Sequence, residues 1–527
     1  MERGKHAGPA GLVLIAMTLA NAMILVDQTA VPLALPNIMT SLHVSAQGVQ
    51  WVLNGSLLPL AGLLVFGGRL GDLVGRRRVF TAGAILFAGA SAVGALAPDL
   101  PLLIVARVAQ GVGGALMLPT SVAIVSAAYP AAARGRALGT MGGAAAIAAA
   151  LGPTIGGLLT SAFDWRAVLL INVPLAVVAV VMASRYVAVD QTPAHDSRQI
   201  DASGTALLCL TLVGIVFGLS QSEEWGWGSP GILGPLAVSL LAAACFVVRE
   251  RRASAPLVDF ALLRHRNYLG ATASQLLSGM AEIGLGVIFP PLLILNLTMS
   301  PALAGLALIP TTVPMILVAP LAGRWYDRAG GRSPLVAGFG LLSASAVMLA
   351  VAAGQNRYLD LLPGLLVYGV GLALVLTVND PVTLDTIPEQ EHGQASGVSA
   401  TAEQFGGALG VAALALINHR VYLNRLIGRI DHSSLKDLTS KTGAELRNAL
   451  HAAEATGLNP HTFDRSVRVY LRVARSASDH GYSVTFVAVA IVAAAGAALV
   501  AWLVRAPPVD PAERAAEPLS PAAASGQ

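Results

Sequence analysis

The chain has 527 residues, 55% of them hydrophobic and only 12% charged, and a formal net charge of +4. A soluble domain normally carries about twice that charged fraction, so an ordinary water-soluble enzyme is excluded. Of the 33 basic residues only Lys5, Lys436 and Lys441 are not Arg, and they lie scattered over short loops rather than gathered with aromatic side chains. That pattern gives no support to nucleic-acid binding.

Apolar windows long enough to cross a bilayer, at about 20 residues per crossing, start near residues 11, 49, 79, 102, 137, 167, 202, 230, 267, 302, 334, 359, 394 and 482. These fourteen windows define spans 1 to 14 of an all-α polytopic membrane protein. The first, from Gly11 to Leu35, is too long for the core of a signal peptide and carries Asp27, so it reads as a retained span. Cys209 and Cys245 fall inside spans 7 and 8, which leaves no disulfide framework or metal cluster to be read from them. Between those spans, Glu223-Glu224-Trp225-Gly226-Trp227 reads as an aromatic anchor at the membrane interface. Residues 418–481 read as a loop containing two short amphipathic helices, Ala444 to Ala455 and Thr462 to Ala477, with Asn459-Pro460 as a break. Residues 505–527 read as a disordered tail.

Charge orients the chain. An even number of crossings puts both termini on one side. That side, with its loops at 69–78, 129–136, 184–200, 249–266 and 323–332, holds 20 basic residues against two, Arg166 and Arg357, in the opposite short loops. By the positive-inside rule both ends are expected in the cytoplasm and 418–481 outside.

The sequence repeats itself. Shifted by 255 residues, Asp27 falls on Glu282, Pro36 on Pro291, Ser45 on Ser300, Gly68 on Gly323, Asp72 on Asp327, Gly75 on Gly330 and Arg77 on Arg332. Shifted by 258, Gly111-Val112-Gly113 falls on Gly369-Val370-Gly371. Spans 1–6 therefore correspond to spans 9–14, and an offset of eight spans keeps the halves parallel. The expected division is a six-helix bundle over 1–184, an inserted pair with its linkers over 185–266, a second bundle over 267–504 that includes the 418–481 loop, and the tail.

Several stretches carry a family resemblance. The loop after span 2 reads Gly68-Arg-Leu-Gly-Asp72-Leu-Val-Gly75-Arg76-Arg77-Arg78, with a degenerate copy after span 10, Gly323-Arg-Trp-Tyr-Asp327-Arg328-Ala-Gly330-Gly-Arg332. Span 1 carries Leu25-Val26-Asp27-Gln28-Thr29, span 4 carries Arg107-x-x-Gln110-Gly111, and span 5 carries Gly152-Pro153-Thr-Ile-Gly156-Gly157. Together with fourteen spans they resemble the major facilitator superfamily, and within it the fourteen-span drug:proton antiporters of the quaternary-ammonium and multidrug exporter branch. The resemblance implies a major facilitator fold of two six-helix bundles plus two inserted helices. It also implies a bacterial cytoplasmic-membrane antiporter that needs no cofactor beyond the proton motive force and is a monomer, with hydrophobic or cationic small molecules as substrates and protons and membrane lipids as its other partners. Two departures stand out: Ala148 replaces a Gly four residues before the Gly152-Pro153 pair, and Glu403-Gln404 stands where similar proteins tend to have Arg-Gln.

Five ionisable residues lie within spans, Asp27, Arg107, Glu282, Asp380 and Glu403, each costly there unless paired or hydrated. A buried carboxyl holds a proton that a bound organic cation can displace, so Asp27, Glu282 and Glu403 are expected to carry exchange. Arg107, always charged, resembles the span-4 Arg implicated in the family's proton coupling, and is expected to poise Asp27 or Glu403. Structural alternatives stand beside these: an Arg107 to Glu403 ion pair, Glu282 turned toward spans 7 and 8, and Asp380 as part of a helix end. Gly152, Pro153, Gly156 and Gly157, with Gly142-Gly143, are expected to let another helix approach and to form a hinge and seal. No Gly-Lys-Ser/Thr phosphate loop occurs, the only Gly-Lys being Gly4-Lys5 before His6. Competing readings are an exporter of an endogenous lipid or specialised metabolite, nutrient uptake, and a non-transporting sensor.

Overall fold

A computed structural model of the chain describes residues 10–505 apart from 189–200, 254–255, 259, 261, 356, 385–386, 388–391 and 432–464. Among the described residues fourteen helices are long and apolar enough to cross a membrane: Ala10–Leu42, Gly48–Val74, Arg76–Ala95, Leu100–Ala128, Ala137–Ala162, Trp165–Tyr186, Ala202–Ser222, Pro230–Glu250, Arg266–Asn296, Pro301–Ala329, Arg332–Gln355, Tyr358–Thr383, Ala395–Leu426 and Val473–Leu503. These are spans 1 to 14. Helix is the form such sequences must take, because lipid offers backbone N–H and C=O groups no partner. Polar residues mark the ends. Asp99 accepts from the N–H of Leu102 and Asp201 from that of Gly204, satisfying donors the first turn leaves open.

The internal repeat is visible in three dimensions, atom for atom. Ser45 caps span 2 by accepting from the Gly48 N–H, and its counterpart Ser300 caps span 10 through Leu303. Gly75 and Gly330, also 255 residues apart, both end their helices at positive φ, 117° and 70°, a backbone region that glycine enters without steric cost. Gly111 lies against the carbonyl of Ser56 and Gly369 against that of Thr311, while Gly113 meets Gly83 and Phe87 as Gly371 meets Gly338 and Leu342.

Spans 1–6 pack on one another, as do spans 9–14, and the two sets meet along spans 2 and 13, 1 and 9, and 5 and 10. Span 7 lies against both span 2 and span 13, and span 8 packs on span 7. The Trp225 ring lies 5.7 Å from Phe217, and both Trp225 and Trp227 remain exposed.

Among the described residues the halves meet most closely at one end, and spans 2 and 13 stay in contact nearer the other, where the Thr401 hydroxyl donates to the Ala61 carbonyl (3.1 Å). At the face opposite the chain termini, the Ala302 N–H donates to Ser161 (2.9 Å), the Thr154 hydroxyl to the Gly305 carbonyl (3.1 Å) and the Thr312 hydroxyl to the Ala150 carbonyl (2.7 Å). Gly157 presses on the backbone of Pro301 and Gly305. Toward the termini, no comparable packing joins spans 4 and 5 to spans 12 and 13 among the described residues. Gly139, Gly142 and Gly143 border open space. The expected close approach at Gly142-Gly143 is therefore corrected: that stretch of span 5 is exposed and meets no neighbouring helix, while the lack of packing between spans 4 and 5 and spans 12 and 13 leaves a wedge between the halves among the described residues.

The stretch 418–481 also differs from its reading as a loop. The span-13 helix runs on to Asp431 and the span-14 helix begins at Arg465, giving 40 and 39 residues. At 1.5 Å per residue each is about 60 Å long, roughly twice the hydrocarbon thickness. The reading of Thr462 to Ala477 as a separate amphipathic helix gives way to one continuous helix. The pair stays together because Tyr422 and Leu426 on one helix and Ala474 and Ala477 on the other are buried. Ala444 to Ala455 and Asn459-Pro460 lie outside the described residues.

Candidate functional site

In the first half the ionisable side chains form one closed knot. Asp27, 3% exposed, accepts from Arg107 Nη1 at 2.6 Å, from Asn172 Nδ2 at 2.7 Å and from Gln110 Nε2 at 3.4 Å. Arg107, fully buried, spends its remaining donors on the Val52 carbonyl (2.8 Å), Gln110 Oε1 (2.8 Å) and the Ser56 hydroxyl (2.7 Å). Gln110 in turn donates to Ser91 at 2.6 Å. Spans 1, 2, 3, 4 and 6 each contribute, so the pair is fixed by the whole bundle. Arg107 is thus the partner of Asp27 and not of Glu403. Asp27 faces the bundle interior and does not confront Glu282 across the gap between halves.

Ser56, Ser91 and Asn172 were not legible as site residues in the sequence. Gln110 carried a signal, standing three residues after Arg107 and so on the same helix face.

The second half is built differently at equivalent positions. The counterpart of Asp27 is Glu282, but the counterpart of Arg107 at the 258-residue shift is Leu365, and that of Gln110 is Tyr368. Glycines draw span 9 onto span 13: Gly279 lies on the carbonyl of Glu403 and Gly406 on that of Leu276. Glu282 follows one turn after Gly279, and beside it the Tyr368 hydroxyl donates to the Ala281 carbonyl at 3.2 Å. Glu282, midway along span 9, and Glu403, the twelfth residue of its 40-residue helix, are partly exposed, and Asp380 is exposed. No ion pair engages any of the three among the described residues. Asp380 accepts from Gln275 Nε2 (3.1 Å), Gln275 Oε1 accepts from Asn379 (2.8 Å), and Ser274 donates to Asn379 (2.6 Å). Beside Glu403, the Gln28 amide donates to Gln404 at 3.2 Å and ties span 1 to span 13 across the halves.

The loops and the span-5 motif connect these centres to the ends of the bundle. Arg76 holds Asp72 at 2.8 Å and reaches the Ala123 carbonyl. Arg77 donates to the Val187 and Ser184 carbonyls at 3.0 and 2.6 Å, capping the C-terminal end of span 6, where a cation also meets the favourable end of the helix dipole. Gly68 sits against Pro119 of span 4. In the second loop Gly330 keeps its turn, donating to Tyr326 at 2.8 Å; Gly323 borders open space, Arg332 opens span 11, and Asp327 and Arg328 are both engaged. Gly152 lies on Thr29, Gly156 on the Ala30 carbonyl, and Pro153 offers its carbonyl face to Gly305. The helix passes through Pro153 unbroken. Span 5 therefore touches span 1 two residues from Asp27 and span 10 at the closed end.

The sequence profile described as Major Facilitator Superfamily matches residues 17–411. The tetracenomycin C resistance and export protein of Streptomyces glaucescens is 34% identical over 405 residues, 77% of this chain and 75% of that protein. A protein described as a probable actinorhodin transporter, from Streptomyces coelicolor, is 31% identical over 476 residues, 87% of this chain and 80% of that one. Among solved structures, a bacterial homolog to the human lysosomal transporter Spinster, inward-facing and unoccupied, superposes with a TM-score of 0.64 at 15% identity, covering 93% of this chain and 97% of that one. A D-xylose-proton symporter gives 0.57 at 14% identity, over 89% and 96%.

Proposed function

The chain belongs to the Major Facilitator Superfamily, and from that premise we propose that this transporter is a proton-coupled antiporter of the bacterial cytoplasmic membrane, exporting lipophilic, often cationic compounds by alternating access. Both termini then lie in the cytoplasm and the wedge between the halves opens inward, where an exporter loads. The observation that carries the reading is the contrast between the halves. Asp27 is neutralised by a buried guanidinium and three amide or hydroxyl neighbours around the pair, whereas among the described residues Glu282, Glu403 and Asp380 form no ion pair and are partly or fully exposed.

Unpartnered carboxylates on a path between two bundles suit competition between a proton and an organic cation for the same oxygens. Proton binding on one side and cation release on the other then exchange the two. The Asp27–Arg107 pair keeps its net charge of zero throughout and holds spans 1 and 4 as one body. Energy comes from the proton motive force, about 2.3 kcal/mol per charge per 100 mV, with no cofactor. The seal of span 5 on span 10 must part for the outward-open state, and the two signature loops, around Asp72 and Asp327, sit where the opposite end closes.

Everted vesicles given a fluorescent organic cation in the external medium test this. Uptake into the vesicles is expected on energisation, with proton release from the lumen and collapse on adding an uncoupler. Uptake that survives the uncoupler at full rate would overturn proton coupling. A second reading, export of an endogenous specialised metabolite, is favoured by the names of relatives that export tetracenomycin C or are described as an actinorhodin transporter. Intracellular accumulation of one native compound in a deletion strain is its signature.

A further inference from the structure

Outside the exchange site, a groove of about 500 Å³ lies on the outer face of span 8 near the end that bears the chain termini, lined by Ala244, Cys245, Val248, Arg249, Arg252 and Ala253. Its floor is apolar and its end is cationic. Ala244, Cys245 and Val248 recur at helical spacing and are exposed, and they continue the exposed stripe of Leu240 and Leu241. Arg249 reaches across to Asp201 at 2.9 Å while remaining half exposed, and Arg252 is exposed on the turn that follows the helix. The one acid of this turn is directed elsewhere: Glu250, 3% exposed, points inward and accepts from the Val258 N–H at 3.1 Å. Asp201 and Glu250 together offset two of the guanidinium groups of Arg249, Arg251 and Arg252, which leaves one net positive charge, and the exposed Arg251 and Arg252 carry it at the rim.

We infer that this groove is a binding site for an anionic phospholipid, with its phosphate on Arg249 and Arg252 and the start of an acyl chain along Val248, Cys245 and Ala244. The groove joins an apolar wall parallel to the bilayer normal to a cationic end at the last turn of a span, the depth of the headgroups. A juxtamembrane arginine contributes about 1 kcal/mol toward an anionic surface. The C-terminal end of a helix carries roughly half a negative charge, which opposes an anion, and the full charge of Arg252, with the donors Arg249 keeps beside its pairing to Asp201, outweighs it. Because span 8 packs on span 7, and span 7 on both bundles, an occupied groove stiffens the element that bridges the moving halves.

Cys245 supplies the readout. With Cys209→Ala the full chain keeps one thiol, inside the groove, and its rate of modification by N-ethylmaleimide is measured in nanodiscs of phosphatidylcholine with and without phosphatidylglycerol. Phosphatidylglycerol is expected to slow labelling several-fold. In Arg252→Gln that ratio is expected to fall close to one, and in Arg252→Lys to recover in part; taking the ratio within each variant removes the effect of bulk surface potential on thiolate formation. Equal rates in both lipids, or an undiminished ratio in Arg252→Gln, would overturn the site. Protection by inorganic phosphate in phosphatidylcholine alone would instead identify a free anion and overturn the lipid assignment.

Discussion

Removing one member of a buried ion pair leaves the other uncompensated, at a cost on the order of 3 kcal/mol. Arg107 has no second carboxylate to turn to, since Val52, Ser56 and Gln110 supply only neutral acceptors. Asp27→Asn and Arg107→Leu are therefore each expected to lower the melting temperature of the purified protein by several degrees. The double variant Asp27→Leu with Arg107→Leu is expected to recover part of the loss, since Leu365 already fills the equivalent place in the second half. A double variant as unstable as the sum of the singles would show that the pair is not a unit. The ion pair explains why Asp27 was legible from sequence only as an acid in a span: its partner lies 80 residues away, and nothing in a single chain's composition distinguishes a clamped carboxylate from a free one. A second tie is open to a pH test. Burial pushes the Asp201 carboxyl up, but the Arg249 guanidinium, the Gly204 N–H and the Ser203 hydroxyl outweigh it and hold the group below its ordinary value of 3.8. A depressed folded pKa stabilises above the unfolded pKa and ceases to do so as pH falls through the folded one. The melting-temperature gap between the native protein and Asp201→Asn is thus expected to stay level from pH 8 to pH 5 and to close below about pH 4.

Single helices carry the conformational change, and span 5 shows how. One face gives Gly152 and Gly156 to span 1, while Gly157 and Pro153 meet Pro301 and Gly305 of span 10. Small residues let backbones approach this closely in a membrane, and a side chain at 157 has the Pro301 backbone in its way. Gly157→Val is therefore expected to part the seal and shift the population toward the state open at that face. A thiol at Thr154→Cys, whose native hydroxyl bonds Gly305, should then react several-fold faster with an impermeant maleimide from that side. Unchanged reactivity with normal expression would show that the seal tolerates the bulk. The motif was legible because Gly-Pro and Gly-Gly constrain backbone geometry wherever they occur. The long helices ending at Asp431 and beginning at Arg465 were not, because hydropathy registers only the lipid-facing part of a helix. Their extension is held by a narrow seam at Tyr422, Leu426, Ala474 and Ala477, too sparse in apolar residues to raise a window average.

At the scale of the whole molecule the sequence repeat fixed most of the architecture, since backbone devices such as the Ser45 and Ser300 caps and the positive-φ Gly75 and Gly330 must recur if two bundles are to fold alike. Function follows from where the copies diverge. Leu365 in place of Arg107 frees the second half's acids from a fixed counter-charge, and the tight span 9 to span 13 packing at Gly279 and Gly406 brings the helices that carry Glu282 and Glu403 together on one half. The pseudo-twofold relation of Asp27 to Glu282 says nothing about whether each acid points into its bundle or out of it. Two neighbouring carboxylates share protons as a unit, and together they match a substrate with two positive charges better than one. Glu282→Gln and Glu403→Gln are each expected to reduce transport of a dication more than that of a monocation of similar size, while the double variant loses monocation transport as well. Because both act on one pair, the second substitution should add less to the loss of dication transport than it costs alone. Initial rates of efflux for matched mono- and bis-quaternary ammonium compounds decide the matter. Were either single variant to keep the wild-type ratio of the two rates, the paired acids would not form the cation site, and the charge preference would have to arise elsewhere in the wedge.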